Sequence, residues 1–239
     1  MNKFKVIWII LLGLVTNTAL MVSADTPATP VATHSSGNQL MQGYVTWYEK
    51  AATTVGPVDP AAKGGLILQA GSVLFLEGNS TLHKYQMHAN TLLGSATLKS
   101  SKGDLAKGLK SNGVDSMDLV IPVNNLKSKE SGLDDNAYKA LQAKDNPTIK
   151  FTLESETLKG NIMTAKGNLT IAGTTVPITL SPEVEIKGDQ VRLKGVQKLK
   201  MTDYKVTPPS ISLLVASITC SDEIEIHYDV TFAKAEEKK

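Results

Sequence analysis

Residues 223–232 alternate without a lapse: Ile224, Ile226, Tyr228, Val230 and Phe232 share one parity, and Glu223, Glu225, His227, Asp229 and Thr231 share the other. Successive side chains of a strand point to opposite faces, so this run has an apolar side and a polar side and pairs in one register only. Each large apolar side chain removed from water contributes roughly 1.5–3 kcal/mol, so the row as a whole outweighs any local preference. Such a strand needs neighbours that share its apolar side.

The chain supplies them. Residues 66–77 form an apolar strand signal between Gly64-Gly65 and Gly78-Asn79; Met117, Leu119, Ile121 and Val123 alternate with Asp118, Val120 and Pro122; Ile149, Phe151 and Leu153 alternate with Lys150, Thr152 and Glu154. Val184 and Ile186 precede a Lys187-Gly188-Asp189 turn, and Val191 and Leu193 follow it. One stretch reads as helix, residues 131–143, where Leu133, Ala137, Tyr138, Ala140 and Leu141 form a stripe. Its first turn carries Asp134 and Asp135 and its end carries Lys139 and Lys144, which suits the helix dipole and reads as capping rather than catalysis. A weaker helix signal covers residues 104–110. Many strands, polar turns and one helix make an antiparallel all-β domain that closes on itself, since open edges invite aggregation.

Residues 167–180 carry a change of phase. Large apolar residues are odd before Gly173 (Leu169, Ile171) and even after it (Val176, Ile178, Leu180). Either a bulge bends one long strand here, or a hairpin reverses it and sets Ile171 opposite Val176. Gly173 permits both.

The ends read differently from the middle. Residues 1–24 carry Lys3 and Lys5, an apolar run from Val6 to Val15, and small residues up to Ala24, the pattern of a secretory signal peptide cut near Ala24. Residues 25–65 read as a linker interrupted by the cluster Tyr44-Val45-Thr46-Trp47-Tyr48, which is expected to dock on the domain; residues 66–233 are the barrel domain and residues 234–239 a charged tail. Removing the signal segment takes the formal charge from +2 to 0, and the chain has a single Arg, Arg192, so no electrostatic footprint for nucleic acid exists. The single Cys, Cys220, has no intramolecular partner and reads as a small buried side chain.

Catalytic chemistry is not legible. His83 and His88 are five apart, on opposite faces of a strand, His227 falls on a charged face and His34 in the linker, so no metal set is expected. The sequence holds no nucleophile elbow, phosphate loop or paired carboxylates on one face, and the expectation is no catalytic residue and no cofactor.

In order and spacing, several segments resemble the YceI-like family of exported bacterial lipid-binding proteins. They are Ser80-Thr81-Leu82-His83, Ile121-Pro122-Val123 with Leu126-Lys127-Ser128, Leu133-Asp134 through Tyr138-Lys139-Ala140-Leu141 into Asn146-Pro147-Thr148-Ile149-Lys150-Phe151, residues 167–174, Leu199-Lys200-Met201-Thr202-Asp203-Tyr204, and Pro208-Pro209. The resemblance implies a lipocalin-like eight-stranded antiparallel barrel with one short helix between strands. It further implies a long apolar lumen for a polyisoprenoid or similar lipid, a periplasmic or secreted location, and a bent strand at Gly173. Two positions depart from the family pattern: Lys205 stands where a Gly often follows the Asp-aromatic pair, and Val215 where a Gly often follows the Leu.

The expected function is therefore a non-enzymatic binding protein whose partner is an apolar, isoprenoid-type lipid, with room for transient membrane contact and no indication of oligomeric state. Alternation nominates Phe75, Leu119, Ile121, Phe151, Ile171, Ile178, Leu193, Met201, Ile226 and Tyr228 for the lumen wall. His83, from a matched motif, is either a rim hydrogen bond or a contact to a lipid headgroup. The competing expectation is a structural or interaction module with a filled barrel, whose Trp47 cluster meets a partner.

Overall fold

The computed structural model describes residues 53–58, 65–99, 105–111, 113–212 and 217–235. The signal segment, most of the linker with its aromatic cluster, Val215 and the end of the charged tail lie outside the described residues. In chain order the elements are β1 (Thr54–Gly56), β2 (Leu66–Leu68), β3 (Val73–Ser80), β4 (Lys84–Ala89), β5 (Thr91–Leu98), α1 (Leu105–Ser111), β6 (Val114–Pro122), β7 (Leu126–Lys127) and α2 (Ser131–Ala140). There follow β8 (Thr148–Lys159), β9 (Ile162–Ile171), β10 (Thr174–Leu180), β11 (Glu183–Lys187), β12 (Gln190–Lys200), β13 (Ser210–Ser212) and β14 (Ser217–Lys234), with 3-10 turns at Val123–Asn125 and Met201–Tyr204.

Hydrogen bonding closes the sheet. The circuit β2-β5-β6-β8-β9-β11-β12-β14 returns to β2 through Phe232↔Leu68, giving an eight-stranded antiparallel barrel. A closed circuit leaves none of these strands as a free edge. β3 continues the line of β2 along β14, and β4 pairs β3 on one side and β7 on the other. β1 is the exception in direction, pairing parallel to β5 at Thr54↔Thr91.

Three differences from the sequence reading have physical causes. The apolar stretch 66–77 is two strands, broken at Gly71 with φ 85°; the Ser72 hydroxyl donates to Gln69 O at 2.7 Å and accepts from Thr231 N at 3.0 Å, which ties the break to β14. The phase change at Gly173 is a reversal, not a bend. β9 and β10 form a two-residue hairpin with Ile171 opposite Thr174 and Leu169 opposite Val176, and both turn residues have positive φ, 47° at Ala172 and 74° at Gly173. That is the primed turn whose twist matches a hairpin, so Leu169 and Ile171 keep the same face as Val176, Ile178 and Leu180. Finally, Asp134 does not cap its own helix: its Oδ1 accepts from the backbone N–H of Ser128 at 2.7 Å, pinning the loop that enters α2.

Lys205 takes up a conformation that favours glycine. Its backbone is left-handed, φ 59° and ψ 20°, and its N–H closes the 3-10 turn on Thr202 O. The turn survives without glycine, at the cost of holding a side chain in that region.

Where β2, β5 and β14 meet, Leu66, Leu68, Leu92 and Phe232 are all at most 3% exposed. α1, in the connection from β5 to β6, turns Leu105 and Leu109 into the same cluster. α2 is hooked to the wall by the Tyr138 hydroxyl, which donates to Leu126 O at 2.6 Å, so its apolar stripe faces the barrel interior.

Candidate functional site

The interior is hollow. Inward-facing residues of β3, β4, β6, β8, β9, β10, β12 and β14 enclose a cavity of about 190 Å3, with Leu133, Ala137, Ala140 and Leu141 of α2 contributing to its lining. The filled barrel of the competing expectation is not observed.

Glycine makes the space. Tyr85 on β4 lies across Gly78 on β3, Tyr228 on β14 across Gly195 on β12, and Phe151 on β8 against Gly167 on β9; a Cβ at Gly78 would come within 2.3 Å of the Tyr85 ring and one at Gly195 within 2.4 Å of the Tyr228 hydroxyl. Tyr85 and Tyr228 sit directly opposite their glycines in the ladder. Large rings thus lie flat on bare backbone along the wall instead of projecting across the barrel.

The lining is apolar and part of it is reachable by solvent. Leu119, Ile149, Leu169, Ile171, Ile178, Leu180, Ile224 and Ile226 all line the cavity yet are only half-buried. Apolar surface inside a protein that is neither packed nor covered marks a site for an apolar partner. Polar residues are few: Tyr85, Tyr204, Tyr228, Cys220, Gln197 and Lys200, and Lys200, the one charged residue among the described lining residues, is exposed to solvent. Burial pushes Tyr204 and Tyr228 up to about 12 and raises Tyr85 further, helped by the adjacent Cys220. All three hydroxyls therefore stay neutral at physiological pH, and none of them brings a charge to the lumen.

Nine of the eleven nominated residues come together on this wall: Leu119, Ile121, Phe151, Ile171, Ile178, Leu193, Met201, Ile226 and Tyr228. Phe75 does not. Its neighbours Leu74 and Leu76 face the lumen, so Phe75 points outward, stacked between His88 at 5.1 Å and His227 at 4.6 Å. In a run such as Val73-Leu74-Phe75-Leu76 every position is apolar, and alternation cannot say which parity faces in. His83 is also outside the lumen, at the β3–β4 turn, with Nδ1 2.8 Å from Lys84 O and Nε2 3.5 Å from Glu130. Its ring is held at that turn, away from the lumen wall.

Sequence reasoning passed over Tyr85, Met87, Met163, Ala165 and Cys220, which also line the cavity. Tyr85 and Met87 sit on β4, where only their shared parity could have pointed inward. Ala165 and Cys220 are too small to stand out in an apolar pattern. Cys220 is half-buried in the lumen wall and not sealed in a core. Among the described residues no imidazole reaches the lumen, and no group of three or more His, Cys, Asp or Glu is placed to hold a metal ion.

Known proteins share this architecture. The fold is similar to that of BcnA from Burkholderia cenocepacia, at 17% identity and a TM-score of 0.53 over 67% of this chain and 95% of that one. It is also similar to a polyisoprenoid binding domain from Saccharophagus degradans implicated in plant cell wall breakdown, at 12% identity and a TM-score of 0.55 over 72% of this chain and 100% of that one. At these identities the likeness is one of fold. No curated protein matches the sequence. A family model does: residues 72–232, two thirds of the sequence and the stretch that carries β3 through most of β14, match the YceI-like domain, and the chain belongs to that family.

Proposed function

We propose that the protein is an exported, non-enzymatic carrier that holds one apolar, chain-like lipid of the isoprenoid type in the barrel lumen. The observation that carries this reading is the hollow, apolar lining with half-buried Leu and Ile side chains. Filling it removes ligand and wall surface from water at roughly 25 cal/mol per Å2, which suits a hydrocarbon chain and offers nothing to a charged metabolite. Rings laid on glycine keep the bore narrow and smooth, a shape for a slender chain. The name of the Saccharophagus degradans domain supports an isoprenoid. Among the described residues the lumen presents hydroxyls and a thiol but no imidazole to activate them, which favours holding over converting. The signal-like residues 1–24 support export to the periplasm or beyond, where the carrier would meet membranes transiently.

Native mass spectrometry of protein purified from its own host is the test. A lipid adduct is expected on the natural chain and not on Leu169→Trp, which places an indole in the bore while the far-ultraviolet circular dichroism stays that of a β-barrel. A natural chain that carries no lipid and displaces no fluorescent isoprenoid would refute the reading. Cell fractionation and N-terminal sequencing check the export: a mature chain beginning near Asp25 outside the cytoplasm is expected.

A further inference from the structure

The outer face of the wall carries a row of rings that the lumen does not use. Phe75↔His88 and Phe75↔His227 are direct cross-strand pairs, and Val196↔His227 extends the row on to β12. The three rings stack, His227 parallel to Phe75 at 4.6 Å and His88 at 5.1 Å. All four positions point away from the lumen, since Leu74, Leu76, Met87, Ile226 and Tyr228 point into it.

Outward residues of a free wall are wet. Val196, at one end of the row, is 52% exposed, but Phe75 and His88, at the other end, are 5% and 3% exposed. The outer face is thus covered at β3 and β4 and open at β12. β1 says what can arrive there. It runs parallel to β5, and the Thr54 N–H donates to Asn90 O at 2.9 Å, so a straight continuation of β1 upstream would head from Asn90 towards Ala89 and His88. It cannot stay in the sheet, because β3 and β4 pair directly at Phe75↔His88 and Leu76↔Met87 and leave no gap. A segment continuing in that direction would have to leave the sheet, and on the outer side it would meet the buried rings. The residues that come next in that direction, 45–52, hold Val45, Trp47 and Tyr48. Trp47 is six residues from Thr53, a reach of about 20 Å when extended, whereas the row from β4 across β3 to β14 spans two strand spacings, about 10 Å.

We infer that the outer row His88-Phe75-His227 is the docking site of the chain's own residues 45–52, with the Trp47 indole laid on the ring stack. An aromatic ring on a flat row of rings is well matched in shape and in quadrupole. The strap would cover the place where β1 is wedged beside β5.

The test uses the full chain carrying Trp8→Phe, so that Trp47 is the only tryptophan. Its emission is expected to be blue-shifted from that of free tryptophan, with acrylamide quenching several-fold slower. His227→Arg should return quenching towards the free value, and Val196→Arg, at an already exposed position, should do so in part without disturbing the barrel. Thr157→Arg on the distant strand β8 should change nothing. A fully quenched Trp47 in the natural background overturns the inference, and so does protection that neither His227→Arg nor Val196→Arg reduces, because Trp47 is then docked elsewhere. Protection that vanishes on dilution together with a dimer peak in size-exclusion chromatography overturns it too, in favour of a second copy. Protection lost only on adding an isoprenoid, with both Arg variants silent, would place the indole in the lumen and likewise refute the outer site.

Discussion

Lys205 is a lysine doing a glycine's work. Its left-handed backbone costs about 1 kcal/mol relative to glycine, and the side chain is exposed, so little is lost by removing it. Lys205→Gly is expected to stabilise the fold by about 0.5–1 kcal/mol, visible as a rise of a few degrees in thermal unfolding. His88 makes the opposite case, a residue whose environment opposes charge. Burial first, and Lys129 second, lower it from its ordinary 6.5 to about 3. Between those values the unfolded chain binds a proton that the folded chain refuses, so stability is full above about pH 6.5 and is lost as pH falls towards 3. At about 1.4 kcal/mol per unit, the loss by pH 4 is on the order of 3 kcal/mol. Chemical denaturation at pH 7, 5 and 4 should show a shallower pH slope in His88→Gln than in the natural chain; equal slopes would assign the acid sensitivity to carboxylates instead.

The β9–β10 hairpin and the glycine-backed rings hold the barrel's shape at the scale of elements. Gly173 has φ 74°, and a Cβ there would meet Asn146 Oδ1 at 2.7 Å. Gly173→Val combines a disfavoured backbone with a clash and should cost roughly 1–3 kcal/mol in urea titrations. Gly195→Ala tests the other device: the methyl would displace Tyr228 from the wall, lowering stability by about 1–3 kcal/mol and narrowing the bore, so that isoprenoid displacement weakens as well. How far these elements can be read from residues depends on how local their causes are. The alternation in β14, the Gly188 turn and the α2 stripe are local, and each appears where the pattern puts it. The hairpin at Ala172-Gly173 was ambiguous because a phase change looks the same for a bulge and for a two-residue turn, and Ala172 is not a residue that announces positive φ. Glycine beds were not legible at all. Gly78 and Tyr85 are close in sequence, but Gly195 and Tyr228 meet only through the β12–β14 register. The same holds for the His88-Phe75-His227 row, whose members are brought together by β3, β4 and β14.

For the molecule as a whole, the barrel keeps part of its apolar surface unburied, and chemistry at the lumen wall can report on it. Cys220 is the chain's only cysteine, and it lines the lumen beside the Tyr85 hydroxyl. A thiol in that position is a built-in gauge of occupancy: small apolar thiol reagents enter an empty bore and modify it, whereas a resident lipid excludes them. Labelling of the delipidated chain by a small maleimide should proceed at least several-fold faster than labelling of the chain preloaded with an isoprenoid. A bulky, charged maleimide should react slowly with both. The ratio of the two rates, followed by intact-mass measurement, would report lumen occupancy without altering a residue.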